Sequence, residues 1–90
     1  MTISTQLTNE QKIELVKKAF VYASPNDAGK AESLDLDSPL EKLGVQSITA
    51  LEMAGYIEEE LEIEFFDKEL TEINKIQDLV DLIGKAQARA

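Results

Sequence analysis

The chain has no cysteine and no histidine among its 90 residues. These absences remove thiolate nucleophiles, disulfides, the usual zinc sites and the commonest general base together, so self-contained catalysis is not expected. Proline and glycine are scarce, at two and four, which is too few for a low-complexity or linker-like chain. No apolar run approaches the roughly 18 residues of a membrane span. The longest, at residues 19–23, belongs to a periodic pattern. Residues 1–10 lack the basic-then-apolar order of a secretory signal. A soluble, cytoplasmic protein is therefore expected. The 43% hydrophobic content suits a folded chain of one domain, 1–90, with one modest core.

Positive charge is also in short supply. Eighteen acidic residues face nine basic ones, a formal net charge of -9, and the imbalance is uneven. Residues 1–30 carry +1, so residues 31–90 carry -10. Between Lys42 and Lys68 there is no basic residue, whereas Glu52, Glu58, Glu59, Glu60, Glu62 and Glu64 all lie there. Such a field repels phosphate backbones and anionic membranes, which disfavours nucleic-acid and membrane-surface roles. It suits a basic protein partner.

What is present is helical periodicity. Thr8-Asn9-Glu10-Gln11 has the form of a capping box and predicts a helix starting near Asn9. Ile13, Val16, Phe20 and Ala23 recur at steps of three and four, with Leu15, Ala19 and Tyr22 beside them, until Ser24-Pro25 ends the pattern. Residues 26–46 read as a long connection in which Leu34, Leu36, Leu40 and Leu43 pin the loop to the helices. Within it, Asp35-Leu36-Asp37-Ser38-Pro39-Leu40 places Pro and Leu where a calcium loop needs an oxygen donor and a glycine, so no metal site is assigned.

A second helix is predicted from Ser47, with Ala50, Met53, Ala54, Ile57 and Leu61 as its buried face. Ser47, Leu51, Gly55 and Glu58 or Glu59 fall on another stripe, facing water or a partner. Asp67-Lys68-Glu69-Leu70 can form a brief third helix. The last is expected to open at Asn74 or Lys75, to bury Ile76, Leu79, Val80 and Ile83, and to stop at Gly84, leaving a frayed tail. Phe20, Met53, Phe65 and Phe66 are expected in the core. The fold class is all-α: three main helices plus one short helix in an antiparallel-type bundle with a long first loop and an ordered core of about 9–84.

The series Leu43-Gly44-Val45-Gln46-Ser47-Ile48, Ala50-Leu51-Glu52-Met53, Ile63-Glu64-Phe65 and Ile73-Asn74-Lys75-Ile76-Gln77-Asp78-Leu79, with Val16-Lys17-Lys18 before it, resembles the acyl carrier protein family over most of residues 10–84. The resemblance implies a noncatalytic carrier of acyl intermediates, held as thioesters on a 4'-phosphopantetheine arm on Ser47, for fatty acid, polyketide or related enzymes. It also implies a phosphopantetheinyl transferase as partner, basic docking patches on pathway enzymes, and a monomer. The docking surface implied comprises Gln46, Ile48, Leu51, Glu52, Tyr56, Glu58 and Glu59. The sequence departs from the family at Gln46, where Asp usually precedes the serine. An aminoacyl or peptidyl carrier of a nonribosomal pathway, and an unmodified acidic helical adaptor, are the alternatives.

Overall fold

A computed structural model describes residues 7–41 and 47–89, with side chains from Ile48 onward in the second stretch. The order of elements is α1 (Asn9–Ala23), a 3-10 helix (Pro25–Ser33), α2 (Ser47–Leu61), α3 (Asp67–Leu70) and α4 (Ile76–Arg89). The expected all-α bundle with a brief third helix is therefore found.

α1 starts where its capping box says it should. The Thr8 hydroxyl accepts from the Gln11 amide at 3.1 Å, and the Gln11 side chain accepts from the Thr8 amide at 2.9 Å. The Ser24 amide closes the last turn onto the Phe20 carbonyl, and Pro25 then opens the 3-10 helix, which kinks at Asp27. Val16 and Phe20 of α1 meet Met53 and Ile57 of α2 and Ile76, Leu79, Val80 and Ile83 of α4 in a fully buried core. α1 packs on α2, on the 3-10 helix and on α4. α1 and α4 run antiparallel, because the Leu7 amide reaches the Gln87 side chain and Lys12 lies over Gly84.

The long connection is pinned by backbone more than by leucine alone. Leu34 and Leu40 are buried and Leu36 packs at the core edge, while Leu43 lies outside the described residues. Beyond these contacts, the Leu36 and Ser38 carbonyls accept from the Gln77 and Ile76 amides at 2.8 and 3.1 Å. The Leu40 amide donates back to the Asn74 carbonyl at 2.9 Å. Amides left over at the start of α4 are thus used to hold the loop. Asp35 is occupied locally, its carboxylate accepting from the Asp37 amide and the Ser38 hydroxyl.

Three expectations need correction. Residues 25–33 are not irregular: they form the 3-10 helix, whose turns need no apolar period. Gly84 does not stop α4, which continues to Arg89 and buries Ala86. A Cβ at Gly84 would lie 2.9 Å from the Lys12 Nζ, so this glycine marks where α1 crosses closely. Phe66 is not a core residue. It is 53% exposed, with the Arg89 guanidinium 4.2 Å above its ring.

Candidate functional site

α2 begins at Ser47. The first amides of any helix have no partner within it and carry the positive end of the helix dipole, so a group attached at this position meets donors rather than acceptors. No acidic residue stands in this first turn. Immediately beyond it, Ile48 and Leu51 are 74% and 54% exposed, which is unusual for aliphatic side chains of a small bundle. Gln46 lies outside the described residues.

Farther along the same helix, Glu52 and Glu59 are exposed and Tyr56 is half-buried against the core. The Tyr56 ring leans on that of Tyr22 from α1, with centroids 5.2 Å apart and planes at 35°. Sequence reasoning placed Tyr22 beside the core face of α1 but did not pair it with Tyr56, since nothing in either helix alone reports the crossing. Gly55 sits between Glu52 and Tyr56, and a Cβ there would meet nothing within 4 Å. A shallow groove results, with Tyr22, Gly55, Tyr56 and Ile63 inside it and carboxylates around it.

Glu58 has a second task. Its carboxylate accepts from the Phe65 amide at 2.8 Å, tying the end of α2 to the link beyond. That end is closed by Glu62 in the left-handed conformation, φ 54°, while the Ile63 amide returns to the Glu58 carbonyl at 3.1 Å. This is a Schellman-type stop with glutamate where glycine is the usual occupant.

At the opposite corner, Arg89, the only arginine in the chain, grips Glu69 of α3 with both ends of its guanidinium, at 2.7 and 2.8 Å. These hydrogen bonds, with that from the Phe66 amide, hold the Glu69 carboxyl down at about 2, from an ordinary 4.5. The paired carboxylate in turn pushes the Arg89 guanidinium up. No local sequence signal pointed to this cluster. Among the described residues, no three Asp or Glu side chains are arranged to hold a metal ion, and no helix is long and apolar enough to cross a membrane.

A helical bundle whose long first connection is pinned to its last helix, with an acidic second helix, is the arrangement of a carrier domain. Comparison with known proteins agrees. The sequence model of the family described as "Phosphopantetheine attachment site" matches residues 28–83. An acyl carrier protein of Rickettsia bellii is 34% identical over 68 residues, covering 74% of this chain and 79% of that protein. A mitochondrial acyl carrier protein of Saccharomyces cerevisiae is 38% identical over 74 residues, covering 82% of this chain and 58% of that protein. The solution structure of the acetyl actinorhodin acyl carrier protein from Streptomyces coelicolor superposes with a TM-score of 0.71 at 24% identity, covering 97% of this chain and 98% of that one, and shares the fold.

The chain belongs to the acyl carrier protein family of phosphopantetheine-bearing domains. It is a carrier and not an enzyme: acyl intermediates are held as thioesters on a covalently attached 4'-phosphopantetheine.

Proposed function

We propose that Ser47 bears the arm and that the outer face of α2 presents it to partner enzymes. The start of α2 at this residue, with no acid in its first turn, is the observation that carries the reading. A phosphodiester there gains from the outward amides and the helix dipole and is not opposed by a neighbouring carboxylate. The arm supplies a terminal thiol that takes the acyl group as a thioester. The chain's own part is to anchor and position: the Ser47 hydroxyl provides the ester oxygen, and α2 carries it at its first residue.

The other serines of the first connection are less suited. The Ser33 hydroxyl donates to the Lys30 carbonyl, the Ser38 hydroxyl is engaged with Asp35, and Ser24 closes α1.

Around the arm, Ile48 and Leu51 offer exposed apolar contacts and Glu52 and Glu59 offer charge, to a phosphopantetheinyl transferase and to acyl-transferring enzymes with basic patches. Tyr56, stacked on Tyr22, widens that face toward α1, and Gln46 adds an amide where the family usually has Asp. A monomer in the cytoplasm serving a fatty acid or polyketide pathway is the setting proposed; because one relative is mitochondrial, an organellar matrix is the alternative. The test is incubation with a phosphopantetheinyl transferase and coenzyme A followed by tandem mass spectrometry. One added group on Ser47 is expected. A group on Ser24, Ser33 or Ser38, or no modification by any transferase, contradicts the assignment and favours an unmodified adaptor in the second case.

A further inference from the structure

α3 is four residues long, and none of its side chains is buried. A single turn is not stable by itself. Yet it and its flanks cover apolar surface. Ile63, Leu70 and Ile73 pack half-buried on the core, and Phe65 is almost wholly enclosed. An element with so few buried contacts is the part of a bundle that opens at least cost.

Polar contacts from one side chain compensate. Arg89 donates to both carboxylate oxygens of Glu69, at 2.7 and 2.8 Å, and to the Glu64 carbonyl at 3.0 Å, with its Cζ 4.2 Å over the Phe66 ring. Lys85, one turn earlier, stands 3.4 Å from Glu69. Glu69 meanwhile accepts from the Phe66 amide at 3.0 Å, closing the first turn of α3. The last turn of α4 therefore touches the link, the cap and the body of α3 at once. A planar guanidinium can fork, stack and reach a carbonyl together, which a lysine ammonium cannot.

We propose that α3 with residues 63–66 is a lid on one wall of the core and that Arg89 is its latch, so that the last turn of α4 sets how often the lid opens. The lid packs on α2, so its opening takes place beside the helix that carries the working face. Charge makes the latch selective. In a chain of net charge -9, the cations at this corner, Arg89 with Lys85 beside it, hold an element that the bulk of the acidic residues would not.

Amide exchange in the full chain tests this. The informative amides are those of Phe65, Phe66, Leu70 and Thr71, all hydrogen-bonded within the lid or to α2. In Arg89→Ala they are expected to exchange about tenfold faster or more, with residues 16–20 of α1 unchanged, because a local opening has been made cheaper without touching the core. Arg89→Lys should fall between, and Glu69→Gln should reproduce the local pattern from the other side of the contact. Unchanged exchange in the lid, or an equal acceleration in α1 and the lid in both Arg89→Ala and Glu69→Gln, overturns the latch: the first because nothing is held, the second because Arg89 then supports the whole fold and not the lid.

Discussion

On the outer face of α2 and in the link after it, Glu52, Glu59, Glu60, Glu62 and Glu64 form no ion pair among the described residues, whereas Glu69 of α3 receives Arg89 twice, Lys85 once and a backbone amide. Both regions are acidic by sequence, and the distinction lies in where the cations fold to. Lys85 and Arg89 lie on the last turns of α4, and the carboxylate they pair with is that of Glu69. Carboxylates without a cation among the described residues keep a field that a basic partner could meet, while a neutralised one is free to tie elements together. On the proposed docking map, charge in this small bundle thus serves recognition on one side and architecture on the other.

The sharpest way to break that division is to exchange the two effects. The double reversal Glu52→Lys, Glu59→Lys should slow transferase modification by about tenfold at low salt, each exposed pair being worth roughly 0.2 to 1 kcal/mol, mostly through association rate. Its melting temperature should not fall. Reversal at Glu32, on the 3-10 helix, should change the rate much less. If Glu52, Glu59 and Glu32 prove equivalent, the outer face of α2 is not the docking surface.

Strain at the end of α2 gives the next effect. Glu62 sits at φ 54°, where a side chain costs about 1 kcal/mol or more. Glu62→Gly is therefore expected to raise the melting temperature by about 5 °C, since about 1 kcal/mol shifts a domain of this size by roughly that amount. A melting temperature that falls would mean that the Glu62 side chain makes a contribution larger than its strain.

Two helical glycines sharpen the comparison further. Gly55→Ala enters open space and Gly84→Ala meets only the flexible end of Lys12, so both should stabilise their helices by about 0.5 to 1 kcal/mol. Only Gly55→Ala should also slow modification, because its methyl fills the groove beside Tyr56. Equal modification rates in the two variants would remove the groove from the docking face.

The smallest effect near neutral pH is that of acid. The folded Glu69 carboxyl titrates at about 2, below its ordinary 4.5, so its stabilising contribution is fully present above pH 4.5 and fades as pH falls toward 2. Protection of the lid amides should persist at pH 4 and be lost only near pH 2. Loss centred at pH 4.5 would show that the Arg89 contact does not hold Glu69 ionised.

Much of this molecule could be read without coordinates, and the gaps have physical causes. Thr8 and Gln11 announced α1, and the spacing of Met53, Ala54 and Ile57 gave the buried face of α2, because those signals are local. The 3-10 helix gave no warning, as its polar residues carry no period. Gly84 was misread because helix propensity favours a stop there, yet Ile83 and Ala86 on either side are buried and carry the helix onward. Phe66 looked like core because an aromatic usually is; its exposure becomes intelligible only with Arg89, 23 positions away, stacked upon it. Ser47 itself is chemically ordinary, and the role proposed for it rests on the order of segments around it.

The most direct test of the carrier assignment is the intact mass of wild type and Ser47→Ala after treatment with a phosphopantetheinyl transferase and coenzyme A, with helical content followed by circular dichroism. Wild type should gain one phosphopantetheine, and Ser47→Ala should gain none while keeping its helices. Modification of a folded Ser47→Ala protein would contradict the account.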